Sequence, residues 1–344
     1  MALTTTLLDE FALKYSQSKL DVYEHRMESY GAYETYRVDT PNLIPGYAEL
    51  LGERKGPNRV VRVPVIQRAT YSTTSARSCD YITKENTSTY VTPTWTTIMT
   101  GFSMYPAQYP GNYIGLRDDF LRKMEDVQRT FLDAVDTAAI AHLEANRSAV
   151  NNAANNPYAI VGSSMTVPKA DNELFFNELG AVMAINDLPK QPTNIVATHR
   201  MQALVRQYSS QGTSNAENRA FQFGGYNFKY TGNISIPTAD RDVLYSMPIG
   251  ALGYLSWVDI DSQLGHKSSS GVEWKIQNLP LLGHDVGVLV QSKCDDKSST
   301  IGTGFEATLV QSWQFSFDYS FLCSYNSDTV NLPGVIFKAN FSKT

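Results

Sequence analysis

The sequence predicts an α+β fold in which one very long helix lies on an equally long-stranded sheet, with a smaller α/β module set into the same chain. Three observations carry this. Residues 116–150 contain neither glycine nor proline, and Phe120, Met124, Val127, Phe131, Val135, Ala138 and His142 recur at three- and four-residue steps, the period of one helix face. Leu309, Trp313, Phe315, Phe317, Tyr319, Phe321, Cys323 and Tyr325 alternate with polar residues, the period of a half-buried strand. Pro192 to Thr198 reads as a short buried strand ending in a capping threonine, ahead of a helix over Met201–Tyr208. The long helix should span roughly 50 Å, and the strand from Leu309 to Tyr325 about 55 Å. Two elements of matched length, far apart in sequence, belong to one elongated layer.

In chain order, Thr6 to Met27 carry a modest helical pattern through Leu8, Phe11, Tyr15 and Val22. The following stretch up to Gly56 is rich in tyrosine, proline and glycine and has no period, so residues 1–56 are expected to form an arm laid over other elements. Residues 57–106 are expected to form an extended β-hairpin loop. Val61, Val63 and Val65 alternate on its first strand and Ile98, Phe102 and Met104 share a face of its second, while Ala69–Thr89 between them is too polar for a core. Pro64 sets the first strand at an edge.

The long helix carries a second apolar row, Leu121, Leu132, Ala139 and Leu143, which makes its stripe broader than a coiled-coil seam. Asp118 and Asp119 are expected in its first turn and Arg147 in its last, the signs its dipole favours, with Asn151 to Pro157 ending it. A helix over Asp171–Asn186 follows. After the strand–cap–helix come β segments at Tyr226–Tyr230, Asn233–Ile236 and Val243–Tyr245. The expected domains are 107–190 with 305–344, which hold the long helix and strand, and 191–304, the central α/β module.

A chain of 344 residues with 42% hydrophobic and 18% charged residues is a folded protein with room for two or three cores. Its formal net charge of −5 argues against a generally basic nucleic-acid binder, though not against a container for nucleic acid. Cys79, Cys294 and Cys323 are unclustered, which points to a reducing folding compartment, and the sequence shows no signal peptide or membrane-length apolar run. Folding in a cytoplasm is the expectation. The five histidines have no metal-ligand spacing, and no nucleophile elbow, dinucleotide turn or phosphate loop occurs, so no catalytic residue, cofactor or metal is expected. The densest polar clusters, Asp240-Arg241-Asp242 and Cys294-Asp295-Asp296, read as solvated turns, and His142 as a satisfied core or interface histidine.

The order of arm, β-loop, spine helix, strand–cap–helix and closing long strand resembles the major capsid protein fold of tailed bacteriophages, which encapsulin shell proteins share. Pro192 to Tyr208 resembles the first strand and helix of that family's axial domain. Phe223-Gly224-Gly225-Tyr226-Asn227-Phe228, then Asn233-Ile234 and Asp242 to Leu255, is similar to its glycine turn and strands, and Pro333 to Phe341 to its carboxyl-terminal strand. The resemblance covers about Arg59 to Phe341 and makes the helix and long strand the peripheral domain. It implies pentamers and hexamers of one chain tiling an icosahedral shell around double-stranded DNA, held without sequence-specific binding and without a membrane. With about fifty residues ahead of the β-loop, a separate scaffolding protein is expected, along with portal and cement proteins as further partners. Some relatives join a loop lysine to a peripheral asparagine, for which Lys84 and Asn340 are the residue types. The virion is the implied location.

The loop is basic through Arg59, Arg62, Arg68, Arg77 and Lys84, and neither loop nor arm carries its own core, so both are expected to gain order from other copies of the chain. Arg62, Arg68, Arg77, Lys84, Trp95, Tyr15 and Tyr23 are the candidate inter-subunit contacts. Two rivals remain: an encapsulin-like compartment around a protein cargo, and a β-rich hydrolase or carbohydrate-binding protein using the aromatic residues.

Overall fold

The computed structural model of the chain describes residues 2–16, 30–44, 63–65, 89–109, 111–147, 156–172, 174–186, 188, 193–211, 225–268, 271–295, 308–324 and 334–344. Helices α1 (Ala2–Ser16) and α2 (Gly31–Leu43) precede strands β1 (Val63–Val65), β2 (Thr89–Val91) and β3 (Thr96–Met104) and the spine helix α3 (Tyr113–Ala145). Next come β4 (Ala159–Val161), β5 (Ser164–Val167), α4 (Phe175–Ile185), β6 (Thr193–Thr198), α5 (Met201–Gln211), β7 (Tyr226–Thr231) and β8 (Asp240–Pro248). The chain closes with β9 (Leu252–Trp257), α6 (Ile260–Leu264), β10 (Val272–Leu279), β11 (His284–Asp295), β12 (Thr308–Cys323) and β13 (Phe337–Ser342).

The spine helix has 33 residues, but its ends differ from the expected ones. It starts earlier because the Asn112 side chain accepts the Gly115 N–H at 2.9 Å, which lets the glycine sit in the first turn. Asp118 and Asp119 therefore lie beyond that turn. The helix stops earlier because Asn146 returns both its backbone N–H and its amide to the His142 carbonyl, at 3.1 and 2.9 Å. Arg147 thus lies past the end, where it reaches Glu144 at 3.3 Å and the Ser164 hydroxyl.

β12 has 16 residues, and Trp313, Phe315, Phe317 and Tyr319 are all buried on its inner face. Leu309 departs from the pattern at 44% exposure. The ring of Phe120 meets Trp313 at 4.8 Å, Phe131 meets Phe317 at 5.0 Å and His142 meets Phe321 at 5.8 Å. Equal steps on the helix thus match equal steps on the strand. Three helical turns cover about 16 Å and four strand residues about 13 Å, so helix and strand run side by side in the same direction.

Asp318 and Tyr319 pair with β3 through Thr97 and Thr96, and with β9 through Trp257 and Ser256. β3 and β9 therefore flank β12 on opposite sides. β11 pairs with residues 308–316 of β12 on the β9 side, so β11 and β9 follow one another along it. β10 completes this five-stranded sheet. The second sheet has six strands in the order β4-β5-β13-β8-β6-β7, parallel only at β5/β13 and β6/β7.

Sheet membership cuts across the expected chain intervals. Residues 159–167 and 337–342 join 193–248 in the six-stranded sheet, whereas 252–295 joins the sheet of the long strand. The change of sheet occurs at the turn after Pro248, where Gly250 has φ +83°. Strand alternation then gives the six-stranded sheet two buried faces. Val196, Val243, Tyr245 and Met247 pack toward the spine helix, and Ile195, Ala197 and Leu244 pack toward α4 and α5. The result is a four-layer stack: long-stranded sheet, spine helix with α2, six-stranded sheet, outer helices.

Several expectations are corrected here. Residues 31–43, expected within an arm, form a helix built into the core, where Tyr33 and Tyr36 are fully buried. Gly31 makes that insertion possible, since a Cβ there would lie 2.5 Å from the Tyr230 carbonyl oxygen. α1 also buries Leu7, Leu8 and Phe11 against the main cluster, so the amino-terminal segment does have packing within its own chain. The β-loop strands do not pair with each other as expected: β1 pairs with β2, and β3 pairs with β12. Asn233–Ile236 is not a strand: the Asn233 backbone N–H donates to the Thr231 hydroxyl at 3.1 Å, and its side-chain amide donates to Asp133 and Asp136. Thr198 does not cap α5; its hydroxyl donates to Asp242 at 3.1 Å.

Candidate functional site

Four polar side chains on the spine helix join the layers into one body. Asp136 is buried and accepts three hydrogen bonds: the Tyr33 N–H at 2.9 Å, the Thr231 hydroxyl at 2.6 Å and the Asn233 amide at 3.1 Å. Burial raises its carboxyl above the usual range, and these donors pull it back only in part. Gln128, also buried, accepts the Leu281 N–H at 3.3 Å. His142 shares a 2.6 Å hydrogen bond with the Tyr36 hydroxyl, and burial pushes its imidazole down to about 4, which keeps it neutral. It is the satisfied histidine expected from the sequence.

Glu144 sits at the seam with the six-stranded sheet. Burial alone would raise its carboxyl, but the Tyr245 hydroxyl and the Lys338 ammonium, 3.0 Å away, hold it below the usual range. α2 completes the junction. Asp39 accepts the Gly250 and Leu252 N–H groups at 2.7 and 2.9 Å, Thr40 accepts the Tyr254 N–H at 2.8 Å, and the Tyr33 hydroxyl donates to the Leu282 carbonyl. One buried carboxylate thus fixes the turn at which the chain changes sheets.

Two depressions lie on the surface of the described residues. One depression of about 370 Å³ lies where the chain at Thr92–Thr96 diverges from Tyr319–Leu322, with Ala138 and His142 as its floor. Another, of about 310 Å³, lies over Gly101 between Met99, Ser103, Ser312 and Gln314. Neither gathers carboxylates or a nucleophile with a base. Among the described residues no group of three or more His, Cys, Asp or Glu side chains is placed to hold a metal ion, and no helix is long and apolar enough to cross a membrane. Among the described residues β3, nine residues long, is an edge strand of the long-stranded sheet. Met99 on it is 61% exposed.

Of the contact candidates, Trp95 is half-buried against a small cluster of Ile44, Val63, Leu255 and Leu322 at the base of the β1–β2 ribbon. Tyr15 lies near the end of α1, its side chain outside the described atoms. Arg62, Arg68, Arg77, Lys84 and Tyr23 lie outside the described residues, as do Arg59 and Cys79. Asp240-Arg241-Asp242 is not the solvated turn expected: it opens β8, and the Asp242 side chain is 1% exposed, with its carboxyl raised by burial. Asp136, Asp39 and Tyr33 escaped the sequence reading. An aspartate on an otherwise apolar helix stripe was the available signal for the first, while the other two sit in a segment without periodicity.

No protein-family model and no curated protein matches the chain. Among solved structures it is similar to one from Mycobacterium phage Adephagia, at 11% identity over 83% of this chain and 86% of that one, TM-score 0.43. A second is the capsid structure of cyanophage P-SCSP1u, at 10% identity over 83% and 84%, TM-score 0.44. A third is the holo-SrpI encapsulin complex from Synechococcus elongatus, at 10% identity over 76% and 77%, TM-score 0.36.

Proposed function

We propose that this chain is the repeating subunit of a closed protein shell, the major capsid protein of a tailed bacteriophage. The reading rests chiefly on the 33-residue spine helix laid along a 16-residue strand, an extended scaffold with edges and no convergent active site among the described residues. In this reading hexamers and pentamers tile an icosahedral shell around double-stranded DNA in the host cytoplasm, with scaffolding, portal and cement proteins as partners. Trp95, the β-loop residues Arg62, Arg68, Arg77 and Lys84, and Tyr15 and Tyr23 of the amino-terminal segment supply contacts between copies. The open edge of β3 beside the ribbon offers backbone groups for such contacts.

The test is negative-stain microscopy with sedimentation on the full chain, alone and with a scaffolding protein. Closed shells, tubes or rings of five and six are the expected result. Shells filled with protein in the absence of DNA would shift the reading to a compartment of the encapsulin kind. A monomer under every condition would overturn both.

A further inference from the structure

The pairing of β3 with β12 stops short of the end of β12. Their register runs only as far as Thr96 opposite Tyr319, whereas β12 continues to Cys323 with β9 on its other side. Residues 320–322 therefore have no strand on the β3 side among the described residues. Successive residues of a strand turn their backbone groups to opposite edges, so at least one of the three points its N–H and C=O into the gap. The chain at Thr92–Thr96 bends away instead of filling that gap, and the depression of about 370 Å³ is the space left open, with Ala138 and His142 of the spine helix, one turn apart, beneath it.

The lining decides what could fill it. No Asp, Glu, Lys or Arg side chain contributes to it, and His142 is neutral because burial holds its imidazole near 4. A charged occupant would shed water there without gaining a counter-ion. Pro93, Leu322 and the half-buried Phe321 supply apolar surface. Two side-chain polar groups in the lining keep hydrogen-bonding capacity. Tyr36 takes His142 Nδ1, and Nε2 across the ring has no partner among the described residues; nor does the Tyr319 hydroxyl, which burial keeps protonated. Tyr36, His142, Tyr319 and Phe321 already form a cluster with ring distances of 4.7 to 5.8 Å, which a further ring can join. Apolar walls with a few hydrogen-bonding groups, in a volume inside the roughly 300–1,000 Å³ of small-molecule sites, suit a neutral ring that carries a hydroxyl or N–H.

We propose that this depression binds a small uncharged aromatic molecule, of the phenol or indole kind, between the spine helix and the end of β12 that β3 leaves unpaired. The lining residues all belong to one chain, so the inference stands apart from the shell reading.

The experiment is equilibrium dialysis of indole against the full chain, with indoleacetate as a charged molecule built on the same ring. Ala138→Leu fills the depression from its floor, and Ala141→Leu, exposed on the same helix and outside the lining, is the control. Saturable binding of indole is expected, weakened about tenfold or more by Ala138→Leu and unchanged in the control. Indoleacetate should bind about tenfold or more weakly than indole. Indole should also raise the thermal unfolding midpoint of the wild type and the control, but not that of Ala138→Leu. Where Ala138→Leu fails to fold, Thr94→Trp on the exposed rim takes its place with the same expectation. Absence of saturable binding, equal binding by the wild type and the filled variant, an equal loss in the control, or indoleacetate binding as tightly as indole would each overturn the proposal. Dialysis decides the site and microscopy of the same samples decides the shell, so either reading can fail while the other stands.

Discussion

At the scale of single residues, the polar side chains of the spine helix make the sharpest predictions. His142 titrates near 6.5 when unfolded and near 4 when folded. Between those values the unfolded chain binds more protons, so stability is complete above about 6.5 and declines as the pH falls toward 4, by up to roughly 3 kcal/mol. Urea unfolding of the full chain at a series of pH values should show this loss, and His142→Gln, which cannot titrate, should flatten that part of the curve. Asp136 acts with the opposite sign. Its raised carboxyl favours the folded state at low pH, and that contribution disappears as the pH rises past its folded value, so it does not mimic the histidine. Removing it is another matter. Asp136→Ala would strand the Tyr33 N–H and the Thr231 hydroxyl in the core and should cost about 3 kcal/mol or more, whereas Asp136→Asn, which keeps acceptors, should cost less. Equal losses for the two variants would mean that the hydrogen bonds are not what matters there.

At the scale of elements, the ring pairs between α3 and β12 carry the packing. Phe131→Ala and Phe317→Ala should each cost about 3–5 kcal/mol. Because the rings meet edge to face at 5.0 Å, the double variant should recover about 0.5–1.5 kcal/mol of the sum in a double-mutant cycle. Strict additivity would argue that the two elements are held by area alone. Both elements were legible because each repeats one period for many residues: the expected strand matches β12 within two residues at its far end, and the helix is displaced only by local capping at Asn112 and Asn146. α2 was illegible for the opposite reason. Its hidden face mixes Tyr33, Thr35, Tyr36, Asp39 and Thr40 with Pro41 close behind, so its order comes from tertiary hydrogen bonds that no spacing announces. The pairing of β3 was likewise unreadable, since alternation says that a strand exists and not which partner it takes. The basic loop was read from its charges alone, and its docking stays a proposal.

For the whole molecule, the layers share α2 and the spine helix, so the two sheets should not unfold separately. Calorimetry on the unassembled chain is expected to show one transition, and hydrogen exchange should open the amides of β8 and β12 together. Two resolved transitions would mean that Asp39, Asp136 and Glu144 do not couple the sheets. The long strand has one more consequence, which concerns the order of synthesis. β3, near residue 100, finds its partner only at residues 311–319, and β9 closes on residues 318–323 of the same strand. The stripe of the spine helix that faces the long strand therefore stays without that partner until β12 has been made, although α1 and α2, which precede it in the chain, pack on other parts of the helix. Until then that face invites wrong partners, above all other unfinished copies on the same message. β12 thus sets when the long-stranded sheet can close, and a chain cut before residue 308 leaves β3 and β9 without the strand they pair with.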